Sequence, residues 1–119
     1  MDLYLKGEYD MDLDHVKEKI YSGMEFRKIR CNSKILKILD DGFTYSIGNN
    51  GRYKKVTYLE LESAIKSINT YGYINREWFN ESFPKISISN PCNFTAIGGV
   101  LQELNYVRYI GNKYVEIKK

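Results

Sequence analysis

The stretch NPCNFTAIGGVLQELNYVRYIGNKYVEI, residues 90–117, leaves a chain few ways to fold. Phe94, Ile97, Leu101 and Leu104 recur at helical spacing, with Val100 on the flank. The period then drops to two: YVRYI and KYVEI flank Gly111–Asn112, a dipeptide that suits a type I′ or II′ turn. The expectation is a helix opened by Asn90 and Pro91 and followed at once by a tight β-hairpin, in which Tyr109 faces Tyr114.

Two helices are expected before it. Thr57 and Glu60 have the S/T-x-x-E spacing of a capping box, in which each side chain satisfies a free backbone N–H at a helix start. Tyr58, Leu61, Ile65 and Ile68 form the apolar stripe of that helix, which should stop before Gly72. A second helix runs from Asn75 as N-cap through Trp78, Phe79 and Phe83 to end before Pro84. KISIS, 85–89, reads as a connector that could pair as a short strand.

The first half is patterned differently. Residues 1–11, with Leu3 and Leu5 at strand spacing, read as a short edge strand or arm. Leu13, Val16 and Ile20 predict a helix of about three turns, capped by Asp12 or Asp14 and ended by Gly23. From Glu25 to Thr57 alternation predicts a four-strand meander, with turns at Asn32–Ser33, Asp40–Asp41–Gly42 and Asn49–Asn50–Gly51. If Asn32–Ser33 is a two-residue turn, Ile29, Cys31, Leu36 and Ile38 form the core face. The opposite face then carries Lys28, Arg30 and Lys37 among Phe26, Ile35 and Leu39.

Three short helices closed by a hairpin, with the extended piece Gly72–Tyr73–Ile74 between the first two, resemble the winged-helix variant of helix-turn-helix. The resemblance covers residues 57–117 and is one of element order. Together with the patterning of the first half, the expected fold is α+β: an N-terminal helix and small antiparallel β-meander (1–56) packed on a winged-helix-like three-helix unit with a β-hairpin (57–119). The resemblance implies DNA binding, with the third helix in the major groove and the hairpin on the flanking backbone. Some proteins similar in this way use the scaffold only for protein contacts.

The third helix is an unusual groove reader. Thr95, Gly99, Gln102 and Glu103 lie opposite its apolar stripe, and no Lys or Arg falls between Pro91 and Tyr106. Gln102 has the donor and acceptor to read adenine, and Asn93 and Thr95 are placed to touch phosphate near the helix N-terminus. The Gly98–Gly99 pair costs about 1 kcal/mol per glycine in a helix, which a close approach must offset. The approaching object is a neighbouring element, a partner protein or a nucleic-acid backbone.

Positive charge gathers elsewhere. Net charge is only +3, but Arg27, Lys28, Arg30, Lys34 and Lys37 occur with no acid between Phe26 and Leu39, and Arg52, Lys54 and Lys55 follow. Arg108 and Lys113 add two cations on the hairpin. This is either a solvated sheet face, neutralised by the acidic residues 1–25, or a surface that tracks phosphates. Eleven tyrosines are many for 119 residues; they reflect AT-rich codons or stacking and interface use.

Catalysis has little support. His15 lies among Asp12, Asp14 and Glu18 as a surface-paired histidine, and no nucleophile–histidine pairing or phosphate-binding glycine loop follows from spacing. Cys31 and Cys92 match no metal or disulfide framework, so no metal or other cofactor is expected. No signal-like or membrane-spanning run occurs, which favours a cytoplasmic location. Two readings remain: a non-catalytic protein that binds duplex DNA, or an adaptor or inhibitor, of the kind phages and mobile elements encode, that binds a protein complex through Thr95, Gly99, Gln102, Tyr109 and Tyr114. Homodimerisation is compatible with both.

Overall fold

The structure, a computed structural model, describes residues 11–48 and 50–117. The arm expected over 1–11 lies outside the described residues except for Met11, which is buried. Helix α1 spans Leu13–Lys19, with Asp12 Oδ1 accepting from the His15 backbone N–H at 2.8 Å. It has seven residues, shorter than expected, because Ile20 is already extended. Val16 and Ile20 go into the core.

An antiparallel meander follows in the order β1 (Glu25–Arg27), β2 (Asn32–Leu39), β3 (Gly42–Ile47) and β4 (Arg52–Thr57). Its first turn is not where the sequence suggests. Phe26 pairs with Ser33 and Arg27 with Asn32, so the chain reverses over Lys28–Cys31, closed by the Lys28 N–H to Cys31 carbonyl bond at 2.8 Å. Ser33 is polar yet buried, because its hydroxyl is satisfied by the Ser46 carbonyl across the sheet. Up to the irregularity after Ile35 the faces are therefore the reverse of those expected; beyond it Ile38 pairs with buried Phe43 and Lys37 with Thr44, so these two lie on the faces expected of them. Phe26 and Ile35 are core, whereas Ile29 and Ile38 stand 46% and 41% exposed and Cys31 is exposed too.

The second half runs α2 (Tyr58–Tyr71), β5 (Tyr73–Asn75), α3 (Arg76–Ser82), α4 (Pro84–Ser89), α5 (Asn93–Glu103), β6 (Val107–Ile110) and β7 (Lys113–Glu116). Helix α2 starts at the predicted capping box: Glu60 N–H donates to Thr57 Oγ1 at 3.2 Å, and Glu60 Oε2 accepts from the Thr57 N–H at 2.8 Å. Asn75 caps α3 through the Trp78 N–H at 2.8 Å. KISIS is helix, not strand, because Pro84 ends α3 and, at the first position of α4, presets its φ. Asn90 consequently closes α4, and α5 begins later than expected.

The hairpin is as predicted. Tyr109 pairs with Tyr114 around a type I′ turn, with φ of 57° at Gly111 and 65° at Asn112. Strand β7 also pairs with β5, giving a three-stranded sheet in the order β5-β7-β6. One buried cluster joins both halves: Phe26, Ile35, Phe43, Tyr45 and Val56 from the meander meet Leu61, Ile65 and Ile68 of α2 and Phe94, Ile97 and Leu101 of α5. Each such side chain contributes about 1.5–3 kcal/mol on burial.

Candidate nucleic-acid interface

Helix α5 lies at the centre of this arrangement, against β1, β4, β6 and α4. Every residue from Asn93 to Leu101 is buried, so the helix is enclosed on all sides. This corrects the expected reading face. Asn93 does not wait for phosphate: its Nδ2 donates to Glu60 Oε1 at 2.9 Å and the Lys55 carbonyl at 2.8 Å, and its Oδ1 accepts from Tyr45 at 2.6 Å. The Thr95 hydroxyl turns back to the Cys92 carbonyl at 3.0 Å. A Cβ on Gly99 would lie 2.7 Å from the Arg27 carbonyl and 2.8 Å from Phe26, and one on Gly98 would overlap the Tyr114 ring. Internal packing accounts for both glycines. Tyr114 is itself buried, its ring 5.4 Å from Phe94 and 4.9 Å from Tyr109. Asn93, Thr95, Gly99 and Tyr114 are thus removed from the surface that either partner was expected to meet. From α5 only Gln102 and Glu103 reach it.

The eight meander cations divide by strand register. Residues alternate between faces, and Phe26, Ser33 and Ile35 point inward, so Arg27 and Lys34 point outward. An irregularity after Ile35 pairs Ile35 with Tyr45 but Lys37 with Thr44, which itself faces Lys55. The bulge places Lys37 on the outer face. Arg27, Lys34, Lys37 and Lys55 therefore share that face with Tyr53, which is 63% exposed. Lys28 and Arg30 sit in the β1–β2 turn. Arg52 and Lys54 pair with Ile47 and Tyr45 and lie at the rim of the inner face.

Two of the eight are tied up. Lys54 Nζ donates to Asn90 Oδ1 at 2.6 Å and the Ser89 carbonyl at 3.3 Å, fastening β4 to the end of α4. Lys55 Nζ contacts Asp41 Oδ2 at 2.8 Å, and this hydrogen bond holds the Asp41 carboxyl below its ordinary range. Lys28 Nζ stands 5.5 Å over the Tyr45 ring. Glu25 is the register partner of Lys34, but among the described residues none of Arg27, Arg30, Lys34, Lys37 and Arg52 forms an ion pair. All five are exposed. On the hairpin Arg108 is exposed, and Lys113 Nζ lies 4.7 Å over the Tyr73 ring.

A cleft of about 210 Å³ opens where the β1–β2 turn, the end of α5 and the hairpin converge. Arg27, Lys28, Ile29, Gln102, Tyr109 and Tyr114 line it. Members of the basic run and of the neutral helix–hairpin surface, separated by about seventy-five positions, thus meet at one site. Ile29, expected on the core face of the meander, instead stands in the four-residue turn and lines the cleft. Gln102 Oε1 accepts from the Tyr109 backbone N–H at 2.9 Å, which occupies its acceptor and leaves its amide NH2 as the donor. This geometry does not favour the bidentate reading of adenine expected of Gln102, which uses both amide atoms. Burial pushes the Tyr114 hydroxyl up to about 12, so it stays protonated at neutral pH.

His15 is surface-exposed and paired with Asp12 at 3.0 Å; Cys31 and Cys92 are free thiols. No helix among the described residues is long and apolar enough to cross a membrane. The chain matches no family model, no curated protein and no solved structure.

Proposed function

We propose that this chain is a non-catalytic nucleic-acid-binding protein that holds duplex DNA by its phosphates, through the outer face of the meander. The observation that carries this reading is the row of exposed cations without ion-pair partners among the described residues: Arg27, Lys34 and Lys37 on one face, with Arg30 and Arg52 at its ends. The winged-helix reading of 57–117 stays part of this proposal: the hairpin and the three-stranded sheet β5-β7-β6 favour it, while α4 adds a fourth helix to the three expected. The role of its parts is nevertheless altered. Helix α5 is a core element, and the sheet and the hairpin cations supply contacts that follow backbone geometry, so base specificity from this face is weak. Replacing Lys34 and Lys37 together by Gln should reduce retention on duplex DNA at low salt; unchanged retention would remove the reading.

The second reading, a protein-binding adaptor or inhibitor, draws on a different observation. Leu59, Tyr71 and Ile88 are large apolar side chains 71%, 73% and 84% exposed, which a partner would cover. Capture of a partner from cell extract that survives nuclease treatment, and is lost on Ile88→Glu, would favour it.

A further inference from the structure

The cleft between the β1–β2 turn and the hairpin has a chemistry distinct from the open sheet. At about 210 Å³ it is smaller than the roughly 300–1,000 Å³ of sites that enclose a whole small ligand. It therefore suits one unit of a longer chain. Its lining holds two cations, an amide donor and two aromatic rings, and no acid. Gln102 offers N–H to a carbonyl oxygen, Tyr109 is half-buried and lines the cleft, and Lys28, in the turn beside the outward-facing Arg27, supplies the cation. A planar, carbonyl-bearing group followed by a phosphate meets all of these. An acidic peptide side chain would use the cations but leave the rings idle.

We infer that this cleft receives one unpaired nucleotide of a bound nucleic acid, its base stacked on Tyr109, a base carbonyl accepting from the Gln102 amide, and its phosphate against Lys28. The inference rests on the nucleic-acid reading above and adds an element that plain duplex does not engage. The protein then prefers junctions, overhangs or gaps to continuous duplex, because a paired base cannot leave its stack without cost.

The test compares binding of one duplex, blunt or carrying a short thymidine overhang, to the full chain and to Tyr109→Ala and Tyr109→Phe. The overhang should tighten binding by about tenfold, the scale of one base–aromatic stack. Tyr109→Ala should abolish that gain and Tyr109→Phe should keep it. A halogenated uracil in the overhang should crosslink to Tyr109 under light, a readout in the unaltered protein. If duplex is held through Lys34 and Lys37 but the overhang adds nothing, and no crosslink reaches the cleft, this inference fails alone. If neither DNA binds, the nucleic-acid reading falls with it. An acidic peptide that binds with loss on Lys28→Gln, where the overhang gives no gain, would assign the cleft to a protein partner instead.

Discussion

Gly98 shows how tightly single residues hold this fold. The Tyr114 ring occupies the space a Cβ would need, so the side chain that closes the hairpin rests directly on the α5 backbone. Gly98→Ala gains about 1 kcal/mol of helix propensity. Overpacking costs about 1–3 kcal/mol and should dominate. Urea unfolding should therefore show a net loss of stability, and a gain would mean that Tyr114 moves aside freely. The same burial makes the fold sensitive to alkali. Desolvation, with lesser effects from neighbouring groups, raises Tyr114 from an ordinary 10 to about 12 and Tyr45 further still. The folded state prefers both phenols neutral, so their contribution is fully present below pH 10. It is lost as the pH rises through the window from 10 toward 12, where the unfolded chain ionises first. Phenolate absorbance should show these two tyrosines titrating only with unfolding; their release before it would contradict the burial.

At the scale of elements, the polar bridge between the meander and the helices is the critical joint. Glu60 is buried, receives the Thr57 N–H and hydroxyl on one oxygen and Asn93 on the other, and Asn93 in turn accepts from Tyr45. Asn93→Ala leaves buried groups on three elements unpaired and should destabilise by about 1–3 kcal/mol in denaturant melts. Its DNA affinity per folded molecule should not change; a loss of affinity without loss of stability would restore a direct contact. The start of α2, the cap of α3 and the hairpin were legible in the sequence because each rests on side chains within a few residues of one another: Thr57 with Glu60, Asn75 with Trp78, Gly111 with Asn112. The β1–β2 turn was not. Asn32–Ser33 has turn chemistry, but Ser46, thirteen positions away from Ser33, offers it a buried partner, and Phe26 prefers the core. Helix α5 misled for the same reason. Its small polar residues look like a solvent face on a wheel, and only the approach of Phe26, Tyr114 and Glu60 makes them an inner one.

For the whole molecule, the consequence is a division of labour. The centre is taken up by a helix that reaches the surface only at Gln102 and Glu103, and the proposed contacts fall on a cationic sheet face and the cleft beside it. Only the first was legible: the run Arg27 to Lys37 shows in composition, whereas the cleft is assembled from a turn, a helix end and a hairpin distant in sequence. The most direct measurement is the salt dependence of duplex DNA binding, for the native chain and for Lys34→Gln with Lys37→Gln. With about four phosphates neutralised, log affinity should fall against log salt with a slope of about −3 to −4, and the variant should lose about 2 from that slope while melting at the same temperature. Equal slopes for the two proteins, or no binding at low salt, would contradict the account.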